Sequence, residues 1–228
     1  MIQGLLKPGM VFFDVGGHVG QYTLVASRLV GDAGEVHSFE PDPESFRALR
    51  GNVRLNKLKN VRLNNVALSN ENKTTTFYLA ATSNLGDNSL SPPDTYSGAR
   101  CEVKCITLDH YLETRRIDRV DFMKVDIEGA ELLMLQGAKR LFTLKRRPII
   151  VMEFEEPRQK AFGNSCAQLA DVLLKKRYDL FNLETRPLSE YYPSPNDPFT
   201  LNILAVPQEQ RNSLGILTDS DVRERKAS

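Results

Sequence analysis

Acidic side chains end several short apolar runs of this chain, and one of them is followed at once by glycines. Asp14 lies at the end of Met10–Val15, and Gly16, Gly17 and Gly20 follow it. Glycine has no Cβ, so this turn could bring backbone and the N–H groups of a following helix close to a ligand. An unpaired Asp14 would be costly to bury, which indicates a cationic partner or loop N–H groups. A generic strand-to-helix turn with a capping acid is the alternative.

A second acid, Glu40, follows the predicted strand Glu35–Phe39. In doubly wound folds a carboxylate at this place accepts hydrogen bonds from a ribose diol, which fits both NAD and S-adenosylmethionine. The glycines at 16, 17 and 20 depart from the dinucleotide pattern G-x-G-x-x-G. Acidic strand ends suit a sulfonium cation better than a pyrophosphate. The pattern therefore favours S-adenosylmethionine, with a nicotinamide-dependent oxidoreductase or a non-catalytic S-adenosylmethionine-binding protein as alternatives.

Further carboxylates could carry the chemistry. Asp126 ends the predicted strand Val120–Val125, Glu128 follows in the turn, and Glu153 lies near the end of Pro148–Phe154. Methyl transfer to a hydroxyl needs a general base or a metal that lowers the hydroxyl pKa. We predict Asp126 as the base or its orienter, with Glu128 and Glu153 as further candidates. A metal held by these three acids is the alternative.

Lys124 lies two residues before Asp126, so both side chains leave the same face of the strand. It could steady the methyl acceptor or pair with an acid. We include Lys124 among the predicted substrate contacts, and a purely structural ion pair is the alternative.

The elements that must position these residues alternate between short β-branched runs and helical periodicities, as in a parallel sheet with crossover helices. The remaining predicted strands are Val61–Val66, Tyr178–Leu183 and Thr200–Val206, and the predicted helices are about Gly20–Val30, Pro43–Leu55, Leu108–Thr114, Ala130–Leu141 and Ser165–Arg177. No helical pattern separates the last two strands, which indicates an antiparallel return. The fold class is therefore α/β: a doubly wound, Rossmann-like, mostly parallel sheet whose last strand is antiparallel.

A segment between strands three and four interrupts this alternation. Thr74–Leu79 and Glu102–Thr107 predict a β-hairpin-like excursion, and the Gly-, Ser- and Pro-rich Ser83–Arg100 between them predicts a long loop. Such loops are often lids or binding loops, with disorder as the alternative. Asn88, Ser89 and Tyr96 of this loop are our predicted acceptor contacts, because they offer hydrogen bonds and a stacking face to a polyol.

The composition of the chain limits the kinds of partner and cellular location that we expect. The 228 residues carry a formal net charge of +1, which gives no electrostatic case for nucleic acid as a partner. No apolar run approaches the about 20 residues of a membrane span, and the MIQGLLKPG start does not read as a signal peptide. Three cysteines fit a reducing, cytoplasmic compartment. We predict one domain over residues 1–207 and a polar, frayed tail over 208–228.

Several segments, in order, resemble the FkbM methyltransferases. They are FFDVGGHVGQYTL, FEPDPESFRALRGNVRLN, NVALS, DNSL, ITLDHYL, FMKVDIEGAELLMLQGA and PIIVMEF, from about Met10 to Phe154. The resemblance implies a seven-stranded class I methyltransferase sheet, S-adenosylmethionine as methyl donor, and a hydroxyl acceptor on a sugar, glycolipid or other small natural product. The cofactor-binding residues expected from these segments are Asp14, Gly16, Gly17, His18, Gly20, Tyr22, Thr23, Glu40, Pro41, Asn65, Val66, Ala67 and Asp126. Gly17-His18 stands where a small residue followed by Asn is more usual, so His18 could alter contacts to the amino-acid end of the cofactor.

Overall fold

The structure is a computed structural model that describes residues 4–80, 88–92, 96–185, 188–193 and 200–211. Its strands are β1 (Val11–Val15), β2 (Glu35–Phe39), β3 (Val61–Asn64), β4 (Ala67–Leu68), β5 (Lys73–Ala80), β6 (Tyr96–Ile106), β7 (Phe122–Val125), β8 (Ile149–Glu155), β9 (Tyr178–Asn182), β10 (Ser189–Glu190) and β11 (Thr200–Pro207). Its helices are α1 (Gln21–Val30), α2 (Pro43–Leu55), α3 (Leu108–Thr114), α4 (Glu131–Gln136), α5 (Glu156–Ala161) and α6 (Cys166–Lys175), with 3-10 helices at Arg140–Thr143 and Gln208–Gln210.

The main sheet has the order β10-β9-β11-β8-β7-β1-β2-β3. Strands β3, β2, β1, β7 and β8 pair in parallel, while β11 runs antiparallel to both β8 and β9. The predicted doubly wound class I methyltransferase sheet with an antiparallel last strand is confirmed. The two-residue β10 adds an eighth, edge strand to the seven that were predicted.

Strand β1 lies in the middle of the domain and is buried on both faces. Phe12 packs into the hydrophobic cluster on one face, and Phe13 and Val15 pack into the cluster on the other. Each fully buried phenylalanine stabilises the fold by about 1.5–3 kcal/mol. The carboxyl end of β1, where the glycine turn begins, is therefore fixed from both sides.

The excursion between β3 and β7 forms a second, three-stranded sheet of order β4-β6-β5. Strands β5 and β6 pair antiparallel, as predicted, but β6 begins at Tyr96 and not at Glu102. Within the predicted loop, Ser89 forms an antiparallel bridge with Tyr78. Residues 81–87 and 93–95 lie outside the described residues.

One helix prediction needs correction, and one helix was not predicted. The helix predicted over Ala130–Leu141 ends at Gln136 with Gly137 at its C-cap, since glycine is a poor helix former. Gly137 also lies against the carbonyl of Ser69, where a Cβ would overlap it. A 3-10 helix follows at Arg140–Thr143. Helix α5 was not predicted, although Pro157 in its first turn is a typical helix start.

Residues 208–211 of the predicted tail belong to the part of the chain that the structure describes. Gln208–Gln210 forms a 3-10 helix in which Gln210 is buried and donates a hydrogen bond to the carbonyl of Arg147. Arg147 also forms an ion pair with Glu209. Residues 212–228 lie outside the described residues. Among the helices that the structure describes, none has the length and apolar character needed to cross a bilayer.

Candidate active site

A cavity of about 190 Å³ opens at the carboxyl ends of β1, β2 and β7. Most of the predicted site residues line it: Gly16, Gly17, His18, Tyr22, Glu40, Pro41, Val66, Ala67, Asn88, Lys124, Asp126 and Glu128. The carboxyl ends of parallel strands are where doubly wound sheets bind ligands. The structure thus brings together residues that lie more than a hundred positions apart in the sequence.

The backbone of the glycine turn packs closely against other parts of the protein. Gly16 has φ +84° and Gly20 φ +100°, both in the left-handed region. A Cβ on Gly16 would overlap the carbonyl oxygen of Asp126, one on Gly17 would overlap the hydroxyl of Ser38, and one on Gly20 would lie 2.7 Å from Cδ1 of Leu49. A side chain at position 16 would meet backbone, whereas one at position 17 or 20 would meet the end of another side chain. Gly16 and Gly17 also line the cavity, so close approach of a ligand to this turn stays a prediction.

We expect Gly16→Ala to destabilise the protein by about 2–5 kcal/mol, because it combines backbone strain with an overlap that cannot relax. Gly51, which is exposed within α2 with open space around it, is the matched control. Gly51→Ala should stabilise the protein by about 0.5–1 kcal/mol, the usual gain from replacing a helical glycine. Urea unfolding of both variants measures the difference. A Gly16→Ala variant as stable as the wild type would contradict this packing.

Asp14 lies beneath the cavity and supports its floor. It is fully buried, and its Oδ2 accepts a hydrogen bond from Thr23, whose hydroxyl also lies 2.8 Å from that of Ser38. Burial raises the pKa of Asp14, and the positive charge of Lys124 opposes that shift. Asp14, Gly20 and Thr23 were predicted as cofactor contacts, but the structure gives them positions behind the lining. They join β1, β2 and α1 at the base of the site.

Glu40 lines the cavity at the end of β2 and is nearly fully buried. Its Oε2 accepts a hydrogen bond of 2.7 Å from the N–H of His18, and its Oε1 accepts one of 2.8 Å from the N–H of Asp42. Burial raises the pKa of Glu40 to about 7, although both hydrogen bonds favour the ionised form. Asn65, predicted as a cofactor contact, instead donates to the carbonyls of Glu40 and Pro41 and fixes this turn.

The backbone of His18 is strained, and one nitrogen of its side chain has no hydrogen-bond partner among the described residues. Its φ is +45°, in the left-handed region that residues other than glycine rarely adopt. Its side chain lines the cavity, and its Nε2 is buried without a hydrogen-bond partner among the described residues. Strain of this kind concentrates at functional sites. The prediction that His18 affects the ligand is consistent with both features.

Lys124, which is buried, and Asp126, which is partly exposed, form an ion pair at the carboxyl end of β7. Lys124 Nζ lies 2.9 Å from Oδ2 of Asp126 and 3.4 Å from the carbonyl oxygen of Gly16, and it sits 5.0 Å from the centre of the Tyr22 ring. Burial lowers the pKa of Lys124, but the nearby carboxylates of Asp126 and Asp14 outweigh this and raise it. Lys124 therefore stays charged, and it fixes the orientation of Asp126.

The three predicted catalytic acids meet beside this pair. Oxygen atoms of Asp126, Glu128 and Glu153 lie within 4.8 Å of one another, a spacing that could hold a metal ion. Glu128 also has an ion pair of 3.1 Å with Arg158. Burial, followed by the charges of Asp126 and Glu128, raises the pKa of Glu153 to about 8. Glu153 is not among the residues that line the cavity and lies just behind Asp126 and Glu128.

The raised pKa of Glu153 has a consequence for stability. A carboxyl whose pKa is about 8 in the folded protein, against an ordinary 4.5, makes the fold less stable as pH rises between these values. The side chain of Glu153→Gln cannot ionise. We therefore expect the melting temperature of the variant, relative to that of the wild type, to be higher at about pH 9 than at about pH 5. An equal difference between the two proteins at both pH values would contradict the raised pKa.

The predicted acceptor contacts divide into three cases. Asn88 lines the cavity, and its Oδ1 accepts a hydrogen bond from the N–H of Ala80. Ser89 is buried, and its hydroxyl donates a hydrogen bond to the carbonyl of Glu128, which stabilises the turn after β7. The backbone of Tyr96 begins β6, and its side chain lies outside the described part.

Some residues of the site were missed from the sequence. Gln21 lines the cavity and directly follows the glycine turn, so its position was a usable signal. Phe77 and Leu90 also line it, but the excursion carries them there and no local pattern shows this. Glu131, fully buried, accepts hydrogen bonds from the N–H of Ile127 and from the Gln159 amide, which holds the turn that presents Asp126.

Comparison with known proteins agrees with this geometry. The family model described as "Methyltransferase FkbM domain" matches residues 14–180. The curated "31-O-demethyl-FK506 methyltransferase FkbM" of Streptomyces tacrolimicus is 30% identical over 163 residues, covering 59% of this chain and 61% of that protein. "Methyltransferase 1" of Beauveria bassiana (strain ARSEF 2860) is 26% identical over 144 residues, covering 54% and 56%. The chain thus spans about three fifths of the length of the curated relatives that it matches.

Solved structures share the fold. The crystal structure of methyltransferase FkbM from Methylobacillus flagellatus KT superposes with a TM-score of 0.57 at 15% identity, covering 89% of this chain and 45% of that one. A putative rRNA-methylase from Clostridium thermocellum superposes with a TM-score of 0.52 at 12% identity, covering 90% of both chains. The family match extends from Asp14 at the end of β1 into β9, and includes both the cavity and the carboxylate cluster. The chain belongs to the methyltransferase FkbM family.

Proposed function

We propose that this chain is an S-adenosylmethionine-dependent O-methyltransferase acting on a hydroxyl of a sugar, glycolipid or other small natural product. The observation that carries the proposal is one cavity lined both by the buried carboxylate of Glu40 and by the Lys124–Asp126 pair. The Glu40 carboxylate fits an adenosine ligand, and the Lys124–Asp126 pair fits removal of a proton from an acceptor bound beside that ligand. The methyltransferase family of the chain supports this assignment.

The lining residues fit S-adenosylmethionine. Glu40 has a carboxylate for a ribose diol, and the apolar wall of Pro41, Val66 and Ala67 next to it suits an adenine ring. Asp126 at the other side of the cavity is an acid suited to a sulfonium. Gly16 and Gly17 line the cavity, and the spacing of the glycines departs from the G-x-G-x-x-G pattern of dinucleotide sites, which favours S-adenosylmethionine over NAD. Bound there, S-adenosylmethionine would supply an electrophilic methyl group.

The residues of the chain would then position the acceptor and take up its proton. Asp126 is the proposed base, since Lys124 holds its carboxylate at the cavity wall with a hydrogen bond of 2.9 Å. General base catalysis of this kind contributes about 10²–10⁴-fold. Glu128, paired with Arg158, and Glu153 behind it are the alternative bases. Asn88, on the excursion side, is the proposed hydrogen-bonding contact for the acceptor.

A metal-assisted version of the reaction uses the same residues. A divalent ion held by Asp126, Glu128 and Glu153 would lower the pKa of the acceptor hydroxyl in place of a base. The ion pairs to Lys124 and Arg158 already neutralise part of this cluster, which favours the version with Asp126 as base. Activity that survives dialysis against a chelator would support the version without metal, and loss restored by Mg²⁺ or Mn²⁺ would support the other.

The kind of methyl acceptor that we propose is inferred from the family to which the chain belongs. The name of the Streptomyces relative, 31-O-demethyl-FK506 methyltransferase, indicates that this relative methylates an oxygen of its acceptor. The test is transfer of a radiolabelled methyl group from S-adenosylmethionine to a panel of sugars and natural products, each paired with the deoxy compound that lacks one hydroxyl. Label that appears only with the hydroxylated member supports O-methylation. Label that requires an amine would contradict it.

The compartment proposed is the cytoplasm. Cys101, Cys105 and Cys166 form no disulfide with one another in the structure, as a reducing environment favours.

A further inference from the structure

A second cleft lies at the opposite edge of the main sheet from the active-site cavity. It has a volume of about 740 Å³ and is formed by residues 117–119, which precede β7, and by 140–146, which precede β8. Both segments lie at the amino ends of parallel strands, whereas the active-site cavity lies at the carboxyl ends. The cleft is therefore separate from the site described above.

Two of the basic residues that line this cleft are held on a buried acid. Asp121 is fully buried and accepts a hydrogen bond of 2.8 Å from the N–H of Val11. Arg119 Nε lies 2.8 Å from Asp121 Oδ2, and Arg146 Nε lies 4.0 Å from Oδ1. Arg146 Nε also donates to Gln210. These contacts use the Nε atoms, and no contact of the terminal guanidinium nitrogens with another described residue accompanies them.

Two further basic residues complete the lining. Arg140 and Lys145 are exposed, and neither has an ion-pair partner among the described residues. With Arg119 and Arg146 they give the cleft four basic residues, against one acid, Asp118, in the lining. The buried Asp121, and Asp109, whose carboxylate accepts a hydrogen bond from the N–H of Arg140, lie close by and offset part of this positive charge. The whole chain has a net charge of only +1, so the positive potential is a local property of this edge.

We propose that this cleft binds a phosphate group, from either a soluble phosphorylated compound or an anionic lipid headgroup. Guanidinium groups bind phosphate oxygens through paired N–H donors, and a lysine ammonium adds a point charge. Ile117 and Leu144 are half-buried between the charges and give the cleft an apolar wall. The assignment does not depend on the proposed methyltransferase activity, because the two sites share no residue.

The test uses the Arg140→Gln/Lys145→Gln double variant of the full chain. Both side chains are exposed, so the fold should be kept, and Arg47→Gln/Arg50→Gln on the exposed face of α2 removes the same charge elsewhere. Titration with pyrophosphate in about 50 mM salt should show binding that weakens at least about tenfold in the cleft variant and stays unchanged in the control. The proposal would be overturned if pyrophosphate binding weakened equally in both variants. It would also be overturned if the wild type bound neither pyrophosphate nor the anionic vesicles of the next experiment.

Vesicle flotation separates the two sources of phosphate. Vesicles of phosphatidylcholine with about 30% phosphatidylglycerol should retain the wild type but not the cleft variant if a lipid headgroup is the ligand. Binding of pyrophosphate without retention on vesicles would support a soluble phosphorylated compound. Equal retention of the wild type and the cleft variant on these vesicles would overturn the lipid assignment.

Discussion

Replacing Asp126 with asparagine is expected to lower kcat for methyl transfer by about 10²–10⁴-fold, the usual contribution of a general base. Asparagine keeps the size of the side chain and can still accept a hydrogen bond from Lys124 through its amide oxygen. It cannot take up a proton. Affinity for S-adenosylhomocysteine should therefore change by no more than about threefold, which separates loss of chemistry from loss of binding.

Asp171→Asn is the matched control for this experiment. Asp171 forms an exposed ion pair with Lys175 on α6, away from the cavity, so kcat should stay at the wild-type value. Single-turnover rates and binding titrations on both variants give the two readouts. Turnover of Asp126→Asn within a few-fold of the wild type, with the cofactor still bound, would show that Asp126 is not the base, and Glu128 and Glu153 would be tested next.

The second large effect is expected at Glu40, where cofactor affinity should fall as pH is lowered. The pKa of Glu40 is about 7 in the free protein, because the carboxyl is buried. A ribose diol that donates to this carboxylate favours the ionised form. Below pH 7 the cofactor therefore binds with release of a proton, and its affinity rises as pH increases through about 7. Glu40→Gln should remove the pH dependence and weaken binding by about 10–100-fold at pH 8, as expected when a hydrogen bond to a charged group is lost.

Calorimetric titration with S-adenosylhomocysteine near pH 6 and pH 8, in two buffers that differ in ionisation enthalpy, measures both the affinity and the proton released. Glu44→Gln, an exposed acid in the first turn of α2, is the control and should behave as the wild type. Affinity of the wild type that is the same at both pH values, with no buffer-dependent heat, would contradict this role for Glu40.

The sequence predicted the parts of the site that depend on local order along the chain. Strands such as β1 are apolar almost throughout, and the acids that end them stand out against that background. Because parallel strands end at one edge of the sheet, the positions of Glu40 and Asp126 at strand ends were enough to place them together. The order of the segments then identified the family.

The parts that the sequence did not show depend on contacts between distant residues. The packing of the glycine turn against Ser38, Leu49 and the carbonyl of Asp126 is one of them, because the sequence pattern of the turn does not record these neighbours. Phe77 and Leu90 reach the cavity because the excursion packs next to the site. The hydrophobic periodicity of the sequence does not show where this excursion packs. Asp14, predicted as a cofactor contact, lies beneath the lining of the cavity. The sequence could not show this, because depth below a cavity has no signature in it.

The central claim is that the cavity between β1, β2 and β7 binds S-adenosylmethionine, and its most direct test is calorimetric titration of the purified chain with S-adenosylhomocysteine and with NAD. We expect saturable binding of S-adenosylhomocysteine, weakened in Glu40→Gln, and no heat from NAD. Binding of NAD with none of S-adenosylhomocysteine would contradict the claim.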